Sequence, residues 1–345
     1  MGWKIGGPIA ASLMLGSAFM AMPSAATAQE VSVYCSYPEE WCRVITDAFT
    51  QQTGTPVAMV IKSSGEVYAQ LRAEAAKPKG DIWYGGTGDP HLQAADDDLL
   101  LEYKSVHMDK LRPWAIEQAK RGNYKTVGIA QGLLGFIYNE ELLAANNLQP
   151  PQCWADLIKP EYQGEVQMPN PLSSGASYIA LSTVLQIFGE EEGFEYLKKL
   201  NENINQYTKS GGAPSQNAAR GETAIAVTTL VTAIPFIVDG FPLKVSAPCE
   251  GAGLEVPSMS IIKDGPNTEG AKKFYDWALT AEAQTALAEG ARFYNTQSNV
   301  DAKLPEGAMD MSDFKVIDYD FVKYGDPAVR ASILKRWEDE IGSRQ

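Results

Sequence analysis

The sequence predicts an α/β fold built around a parallel sheet. Strand-like runs at 31–34, 57–61 and 80–84 alternate with a helical pattern at 39–52 and with a second helix that begins after Gly65. A polar or glycine-rich segment follows each of the three strands. Such alternation is typical of parallel sheets, because the intervening helices return the chain to the same edge. With 345 residues, the chain is long enough for two domains.

The most informative element is the junction between the second strand and its helix. The run 57–61 is short and rich in apolar residues, Ser63-Ser64-Gly65 ends it, and Glu66 and Leu71 follow at helical spacing. A helix that begins after such a turn points free backbone N–H groups and hydroxyls at one spot, where the helix dipole favours an anion. The alternative is a serine that only caps the helix. A similar junction, Ser173-Ser174-Gly175, follows a later strand at 165–169.

Polar residues follow all three early strands at their carboxyl ends. Because ligands of parallel α/β sheets bind outside these ends, we expect the side chains and backbone groups there to converge. The set is Ser36, Tyr37, Ser63, Ser64, Thr87 and Gly88.

The rest of the chain continues the alternation. Gly128 to Leu134 is where we expect the chain to cross first into a second lobe, and 207–214 is expected to be a loop. The run 129–139 changes character and is apolar and punctuated by glycines. The expected strands are 165–169, 223–229, 243–245 and 256–262, and the expected helices are 140–146, 177–188, 193–203, 267–289 (one helix or two) and 327–341.

The first 28 residues have the pattern of a secretory signal peptide. Lys4 gives a small positive start, the run that follows is apolar and rich in small residues, and Ala26-Thr27-Ala28 is an A-x-A cleavage site. We expect cleavage after Ala28 and an exported, periplasmic mature protein. The alternative is a membrane anchor that is retained in the mature protein. Against this alternative, the apolar run is interrupted by Gly6, Gly7, Pro8 and Pro23.

The charge balance excludes some partners. The net charge is −14, and removal of Lys4 with the signal peptide would take it to −15. Such a balance argues against nucleic acid and anionic membrane surfaces. It leaves an anionic small ligand possible, because a local site can oppose the global field.

Four cysteines in an exported protein indicate two disulfides, for which three pairings exist. The short separation of Cys35 and Cys42 favours one bridge there and a second between Cys153 and Cys249. The chain has two histidines and no C-x-x-C pattern, so we expect neither a metal site nor a cofactor.

Several motifs, taken in order, resemble the periplasmic solute-binding proteins of ABC importers. The resemblance is to the branch that holds iron(III), sugar-phosphate and phosphonate binders, and it covers nearly all of the mature chain. The motifs are Val33-Tyr34-Cys35-Ser36, Ser63-Ser64-Gly65-Glu66, Ala73-Glu74, Gly80-Asp81-Ile82-Trp83, Gly85-Gly86-Thr87-Gly88-Asp89-Pro90-His91, Tyr162-Gln163-Gly164, Ala219-Arg220-Gly221-Glu222, Pro248-Cys249-Glu250-Gly251 and the helix through Phe274 to Gln284.

This resemblance implies a type II two-lobe fold, with mixed sheets flanked by helices and a hinge of crossing strands. Lobe 1 is then 29–130 with 255–290, and lobe 2 is 131–254 with 291–345. The ligand is captured in the cleft by hinge closure and passed to an ABC permease in the inner membrane. We expect a monomer and no enzymatic activity.

The serine–glycine junctions indicate the ligand class. One lies in each lobe, and hydroxyls with helix N-termini bind phosphate or phosphonate without a lysine. A phosphorylated sugar or a phosphonate is therefore the predicted ligand, with Asp89 and Glu250 accepting hydrogen bonds from its hydroxyl or amine groups. The predicted ligand-binding residues are Ser36, Tyr37, Ser63, Ser64, Gly65, Thr87, Gly88, Asp89, Ser173, Ser174, Gly175, Ala176, Thr228 and Glu250.

Three alternatives stay open from the sequence. Iron-binding members resemble one another in two adjacent tyrosines after the strand that is 224–228 here, where this chain has Thr229-Leu230-Val231-Thr232. A different ferric iron set would be Tyr37, Tyr178, Tyr207 and Tyr294. A polyamine or other cation is the second alternative. A secreted hydrolase is the third, although the chain has no G-x-S-x-G motif.

Overall fold

The computed structural model describes residues 1–4, 6–7, 29–306, 308 and 314–342. Most of the predicted signal peptide, including the cleavage site after Ala28, lies outside the described residues. In the part of the chain that the structure describes, no helix combines the length and the apolar character needed to cross a membrane.

Strands and helices alternate through most of the described chain, as predicted. The strands are β1 (Val31–Cys35), β2 (Val57–Ile61), β3 (Ile82–Tyr84), β4 (Val127–Gly128), β5 (Ala130–Asn139), β6 (Val166–Pro169), β7 (Ile204–Thr208), β8 (Ile225–Thr229), β9 (Leu243–Ser246), β10 (Gly253–Glu255), β11 (Ser258–Ile261) and β12 (Thr296–Gln297). The helices are α1 (Glu39–Thr53), α2 (Ser64–Ala73), α3 (Gly88–Asp96), α4 (Pro113–Arg121), α5 (Glu140–Ala145), α6 (Gly175–Phe188), α7 (Glu190–Asn203), α8 (Ala213–Ala219), α9 (Ile234–Val238), α10 (Thr268–Ala278), α11 (Ala281–Gly290), α12 (Phe321–Gly325) and α13 (Pro327–Glu340).

Two mixed sheets form the two lobes. In the first sheet the strand order is β2-β1-β3-β11-β4, with β1 parallel to both its neighbours and β11 antiparallel to β3 and β4. In the second the order is β10-β5-β8-β6-β7, and β9 and β12 also pair with β5. The parallel pairs β6–β7 and β6–β8 place the carboxyl end of β6 beside α6. The predicted mixed α/β architecture is therefore confirmed.

Adjacent chain segments connect the lobes. The chain leaves the first sheet at β4 and enters the second at β5, and it returns from β10 to β11. The two crossings touch, since Ile129 N–H donates a hydrogen bond to the carbonyl of Pro257 at 2.8 Å. These are the crossing strands that the sequence predicts for the hinge.

Each lobe has its own apolar core. Phe49 and Phe274 lie in the first, and Trp154 and Phe194 lie in the second. Phe293, which the predicted boundary at 291 assigns to lobe 2, packs on Trp41 of the first core with ring centres 4.7 Å apart. The chain is still on lobe 1 there, because α11 lies against α1. The exact lobe boundaries otherwise stay a prediction.

Some short elements were not predicted. The expected loop at 207–214 begins with the last two residues of β7, an edge strand whose residues 205–206 are exposed. Too few alternating residues mark such a strand in the sequence. The predicted 267–289 region is two helices, since Thr280 accepts a hydrogen bond from Ala283 N–H as the cap of α11.

Both disulfides pair as the sequence favours. Cys35 is bonded to Cys42, which joins the end of β1 to the first turn of α1. Cys153 is bonded to Cys249 across 96 residues within lobe 2.

Candidate functional site

A cavity of about 300 Å³ lies between the two lobes. Loops at the carboxyl ends of β1, β2 and β3 form one wall, and the segments before α6 and α8 form the other. Its back is the pair of crossing segments. The lining residues are Ser36, Tyr37, Pro38, Trp41, Ile61, Lys62, Ser63, Ser64, Glu66, Gly86, Thr87, Ser174, Gly175, Ala176, Lys209, Ser210, Gly211, Gly212, Thr229, Val231, Thr232, Glu255, Pro257 and Asn295.

Three helix N-termini meet at this cavity. The residues that precede α2, α3 and α6 are Ser63, Thr87 and Ser174, and each has an extended backbone that turns into its helix. The first backbone N–H groups of a helix have no partner within the helix, and they carry the positive end of its dipole. Three such termini at one cavity make a strong local site for an anion despite the negative net charge.

The three termini are tightly packed across the cleft. Gly175 N–H of lobe 2 donates a hydrogen bond to the Ser64 hydroxyl of lobe 1 at 3.2 Å. Gly86 has φ of +76°, which turns the chain sharply between β3 and α3. A methyl group on Gly86 would lie 2.8 Å from the Cβ atoms of both Ser36 and Ser64, so only glycine lets the three loops of the lobe 1 wall pack this closely.

Three buried polar atoms at the cavity have no hydrogen-bond partner among the described residues. They are the hydroxyls of Tyr37 and Thr87 and the amide oxygen of Asn295. Buried polar groups are rarely left unpaired, because desolvation without a compensating hydrogen bond is costly. These atoms are not accessible to solvent in this arrangement, so they can reach a ligand only if the side chains around them shift.

Two lysines, Lys62 and Lys209, line the cavity. Lys209 forms an ion pair with Glu66 at 2.8 Å, from lobe 2 to lobe 1, and its side chain is 77% exposed. Burial alone would raise the pKa of Glu66, but hydrogen bonds from Lys209 and from the Ser63 N–H lower it below its ordinary value. Because Lys209 is already paired, the anion site depends on N–H groups and hydroxyls more than on a direct cation.

Glu255 is the functional candidate that the sequence analysis missed. It ends β10 at the crossing and lies in the cavity, and only 7% of its surface is exposed. Burial raises its pKa to about 7, with Thr229 opposing the shift and Asp89 adding to it. An acidic residue inside the otherwise apolar run 252–257 was the available signal. A carboxyl group here can accept hydrogen bonds from ligand hydroxyls or an amine.

The predicted site residues separate into two groups. The first group lines the cavity and includes Ser36, whose hydroxyl accepts a hydrogen bond from the Trp83 indole N–H at 2.9 Å. Eight of the fourteen line the cavity: Ser36, Tyr37, Ser63, Ser64, Thr87, Ser174, Gly175 and Ala176.

The other six lie outside the cavity lining. Gly65 and Ser173 line an adjoining groove, and Gly88 and Asp89 are buried in the first turn of α3. Thr228 donates its hydroxyl hydrogen to the carbonyl of Gly211 at 2.6 Å.

Glu250 was predicted to bind the ligand, but it does not line the cavity. Its carboxylate accepts hydrogen bonds from the backbone N–H groups of Trp154 and Ala155, at 2.8 and 3.1 Å, beside the Cys153–Cys249 bridge. These bonds hold the two loops that the disulfide joins. The structure thus gives Glu250 a place in lobe 2 and none at the ligand cavity.

The four tyrosines of the alternative iron set do not converge. The hydroxyls of Tyr178 and Tyr207 donate hydrogen bonds within lobe 2, to a backbone carbonyl and a side-chain amide oxygen at 2.8 and 3.0 Å. Tyr37 lines the cavity, and Tyr294 lies in a small pocket beside it.

Comparison with known proteins agrees with this arrangement. The family model described as "Bacterial extracellular solute-binding protein" matches residues 78–324. The solved structure of the periplasmic binding protein AfuA from Actinobacillus pleuropneumoniae, with exogenous fructose-6-phosphate bound, is 38% identical, with a TM-score of 0.88 over 91% of this chain and 99% of that chain.

Two curated relatives extend the comparison. An uncharacterized protein of Haemophilus influenzae is 38% identical over 335 residues, which are 96% of this chain and 97% of the relative. A putative 2-aminoethylphosphonate-binding periplasmic protein of Salmonella typhimurium is 27% identical over 72% of each chain.

These matches confirm the resemblance that the sequence motifs suggested. The family consists of proteins that bind solutes, not of enzymes. The chain belongs to the bacterial extracellular solute-binding protein family and is a substrate-binding component of the kind that serves ABC importers.

Proposed function

We propose that the solute is a small phosphorylated sugar or a phosphonate, bound by its anionic group at the three helix N-termini. The observation that carries this proposal is the convergence of Ser64, Thr87 and Gly175 from three different helices. The unpartnered hydroxyl of Thr87 gives the anion a further donor. Phosphate and phosphonate oxygens are acceptors that match such a set.

The opposite part of the cavity suits an uncharged polar or amine-bearing group. Glu255 supplies a carboxyl group there, and Tyr37 and Asn295 supply an unpartnered hydroxyl and amide oxygen. Sugar hydroxyls donate to and accept from such groups, and an ammonium group donates to a carboxylate. Both chemistries occur among similar proteins, since one is described with fructose-6-phosphate and another as binding 2-aminoethylphosphonate.

Closure of the two lobes captures the solute in this account. Four contacts join lobe 1 to lobe 2 at the cavity and the adjoining groove: Ser64 with Gly175, Gly65 N–H with the Ser173 carbonyl at 3.3 Å, the Ser63 hydroxyl with the Lys209 carbonyl at 3.2 Å, and Glu66 with Lys209. All four break if the lobes separate about the crossing strands, and the cavity then opens to solvent. The lobes are proposed as 29–130 with 255–290, and 131–254 with 291–345, with the core packing of Phe293 shifting the last boundary.

The cellular role follows from the same account. The protein is exported to the periplasm after cleavage behind Ala28, acts as a monomer, and delivers its solute to an inner-membrane permease. It catalyses no reaction on the solute.

A thermal-shift screen of the chain from Gln29 onward tests the ligand class. The panel is fructose 6-phosphate, 2-aminoethylphosphonate, inorganic phosphate, ferric citrate and spermidine. A ligand at 1,000 times its dissociation constant stabilises the folded protein by about 4 kcal/mol, which raises the midpoint by several degrees. We expect a shift with a phosphorus compound. A shift with ferric citrate or spermidine alone would overturn the proposal.

A further inference from the structure

A buried arginine lies behind the anion site. Arg330 is in α13, and only 4% of its surface is exposed. Its guanidinium carbon lies 3.9 Å from the ring centre of Tyr178 in α6. Its Nη1 has no hydrogen-bond partner among the described residues. An arginine remains charged even when it is buried, so this group is a fixed positive charge inside the protein.

Arg330 lies behind one of the helices that form the site. Its guanidinium is stacked over the ring of Tyr178, which comes four positions after the cap residue Ser174 of α6. One helical turn rises about 5.4 Å, so the guanidinium lies roughly one turn behind that N-terminus. The same charge opposes the rise that burial causes in the pKa of Asp89 in α3.

Asp89 supplies the charge that opposes Arg330. It is the one carboxylate among the groups named above, it is 2% exposed, and its Oδ2 has no hydrogen-bond partner among the described residues. Burial raises the pKa of Asp89 to about 6, while Arg330 and Arg121 act in the opposite direction. The carboxylate and the guanidinium are therefore both buried without a hydrogen bond between them.

We infer that Arg330 is the buried counter-charge of the ligand's anionic group, acting through space from behind the N-terminus of α6. This inference rests on the proposed function. Arg330 is a positioning residue in electrostatic terms, because it does not line the cavity. Lobe 2 supplies both α6 and α13, so the charge stays behind this N-terminus whether the lobes are open or closed.

Arg330 supplies a buried positive charge, which the lining of the cavity does not contain. No described arginine lines the cavity, and of its two lysines Lys209 is exposed and paired with Glu66, where solvent screens its charge. A charge in the interior is screened much less, and at about 10 Å in an effective dielectric of about 20 it changes an equilibrium by about tenfold.

Calorimetric titration of the mature protein with fructose 6-phosphate at pH 8 tests the inference. Arg330→Gln is expected to weaken binding about tenfold, and Arg330→Lys is expected to retain most of the affinity. Asp89→Asn removes the opposing charge and is expected to tighten binding about threefold. Lys120→Gln changes the net charge equally on an exposed face of α4 and should leave the affinity unchanged.

Arg330→Gln and Asp89→Asn are expected to change the affinity in opposite directions, which distinguishes an electrostatic effect from a loss of folding. A destabilised variant does not bind more tightly, so a gain in Asp89→Asn together with a loss in Arg330→Gln supports the inference. If Arg330→Gln fails to fold, the double variant with Asp89→Asn, which buries neither charge, should bind more weakly than Asp89→Asn alone. Unchanged or weaker binding by Asp89→Asn, in a wild type that binds, would overturn the inference alone. Failure of the wild type to bind fructose 6-phosphate, 2-aminoethylphosphonate or inorganic phosphate would overturn the proposed function, and this inference with it.

Discussion

The Ser64 hydroxyl accepts a hydrogen bond from the backbone N–H of Gly175 at 3.2 Å, although 111 residues separate them in the chain. Ser64 begins α2 of lobe 1 and Gly175 begins α6 of lobe 2. The bond therefore joins the two serine–glycine junctions that the sequence predicts to face each other. It places two helix N-termini at one point, where an anion is stabilised by both dipoles.

Replacing Gly175 by alanine should obstruct this contact. A methyl group there would overlap the Thr87 hydroxyl and lie 2.8 Å from the Ser64 hydroxyl. Alanine favours the helix more than glycine does, so the lobe itself should stay folded. We expect affinity for fructose 6-phosphate, measured by calorimetry, to fall by about tenfold or more, since about 1.4 kcal/mol of lost closure energy gives this factor.

Gly212→Ala is the matched control for this prediction. Gly212 also lines the cavity, but a methyl group there meets only a carbon of Pro38 at 3.8 Å, an ordinary contact. Its affinity should match that of the wild type. Equal affinity of Gly175→Ala and Gly212→Ala would contradict the account of closure.

Glu255 should make the stability of the ligand-free protein depend on pH. Its pKa is raised from an ordinary 4.5 to about 7, so the unfolded chain loses this proton at lower pH than the folded protein does. The free energy of unfolding therefore falls as the pH rises from about 4.5 to about 7, by on the order of 3 kcal/mol for such a shift. Burial raises the pKa of Asp89 to about 6, so its ionisation also lowers the free energy of unfolding as the pH rises, and this contribution is complete by about pH 6.

Glu255→Gln should remove the upper part of this pH dependence. Thermal midpoints measured between pH 5 and pH 8 should fall less in the variant, and at pH 8 the variant should be the more stable protein. Glu161→Gln, on the exposed surface, should keep the wild-type profile. A profile of Glu255→Gln that is parallel to the wild type would show that the Glu255 carboxyl group is not buried as described.

The pair Glu66–Lys209 should contribute modestly to closure. Both side chains are partly exposed, 29% and 77%, and exposed ion pairs contribute less than about 1 kcal/mol. Lys209→Glu should weaken ligand binding by several-fold, more at low salt, because like charges then face each other across the mouth. The reversed pair, Glu66→Lys with Lys209→Glu, should regain affinity. A double variant as weak as the single one would show that the pair plays no part in closure.

The Cys153–Cys249 bridge should stabilise the protein more than the Cys35–Cys42 bridge. The first closes 96 residues and the second closes 7, and chain entropy assigns about 4.7 and about 2.4 kcal/mol to loops of these lengths. Denaturant unfolding of the paired Cys→Ser variants should show the larger loss for Cys153 and Cys249. A larger loss for the short bridge would contradict this entropic ranking.

The sequence predicts the main elements and the two serine–glycine junctions that meet at the cavity well. The strand–turn–helix junctions at Ser64 and Ser174 follow local rules of periodicity and capping, so their positions are accessible without a structure. The sequence does not identify Glu255 or Arg330 as site elements. An acidic residue inside the apolar run 252–257 marks Glu255 as unusual, but the place of both residues at the site depends on burial and on neighbours distant in the chain.

Glu250 is the opposite case, a residue that the sequence predicts at the site and the structure places elsewhere. In the sequence it follows Cys249 in a loop, and an acidic residue in such a loop is a reasonable ligand contact. In the structure the disulfide fixes that loop to the segment at Trp154, and the carboxylate caps its backbone N–H groups. Which neighbour a loop residue meets is decided by tertiary packing.

The most direct test compares ligands that differ only in phosphorus. Calorimetric titrations of the mature protein would pair fructose 6-phosphate with fructose, and 2-aminoethylphosphonate with ethanolamine, with Ser64→Asp as the variant that places a negative charge at the helix N-termini. The account predicts binding of at least one phosphorus compound, no measurable binding of its partner, and loss of binding in Ser64→Asp. Equal binding of both members of a pair, or full binding by Ser64→Asp, would contradict it.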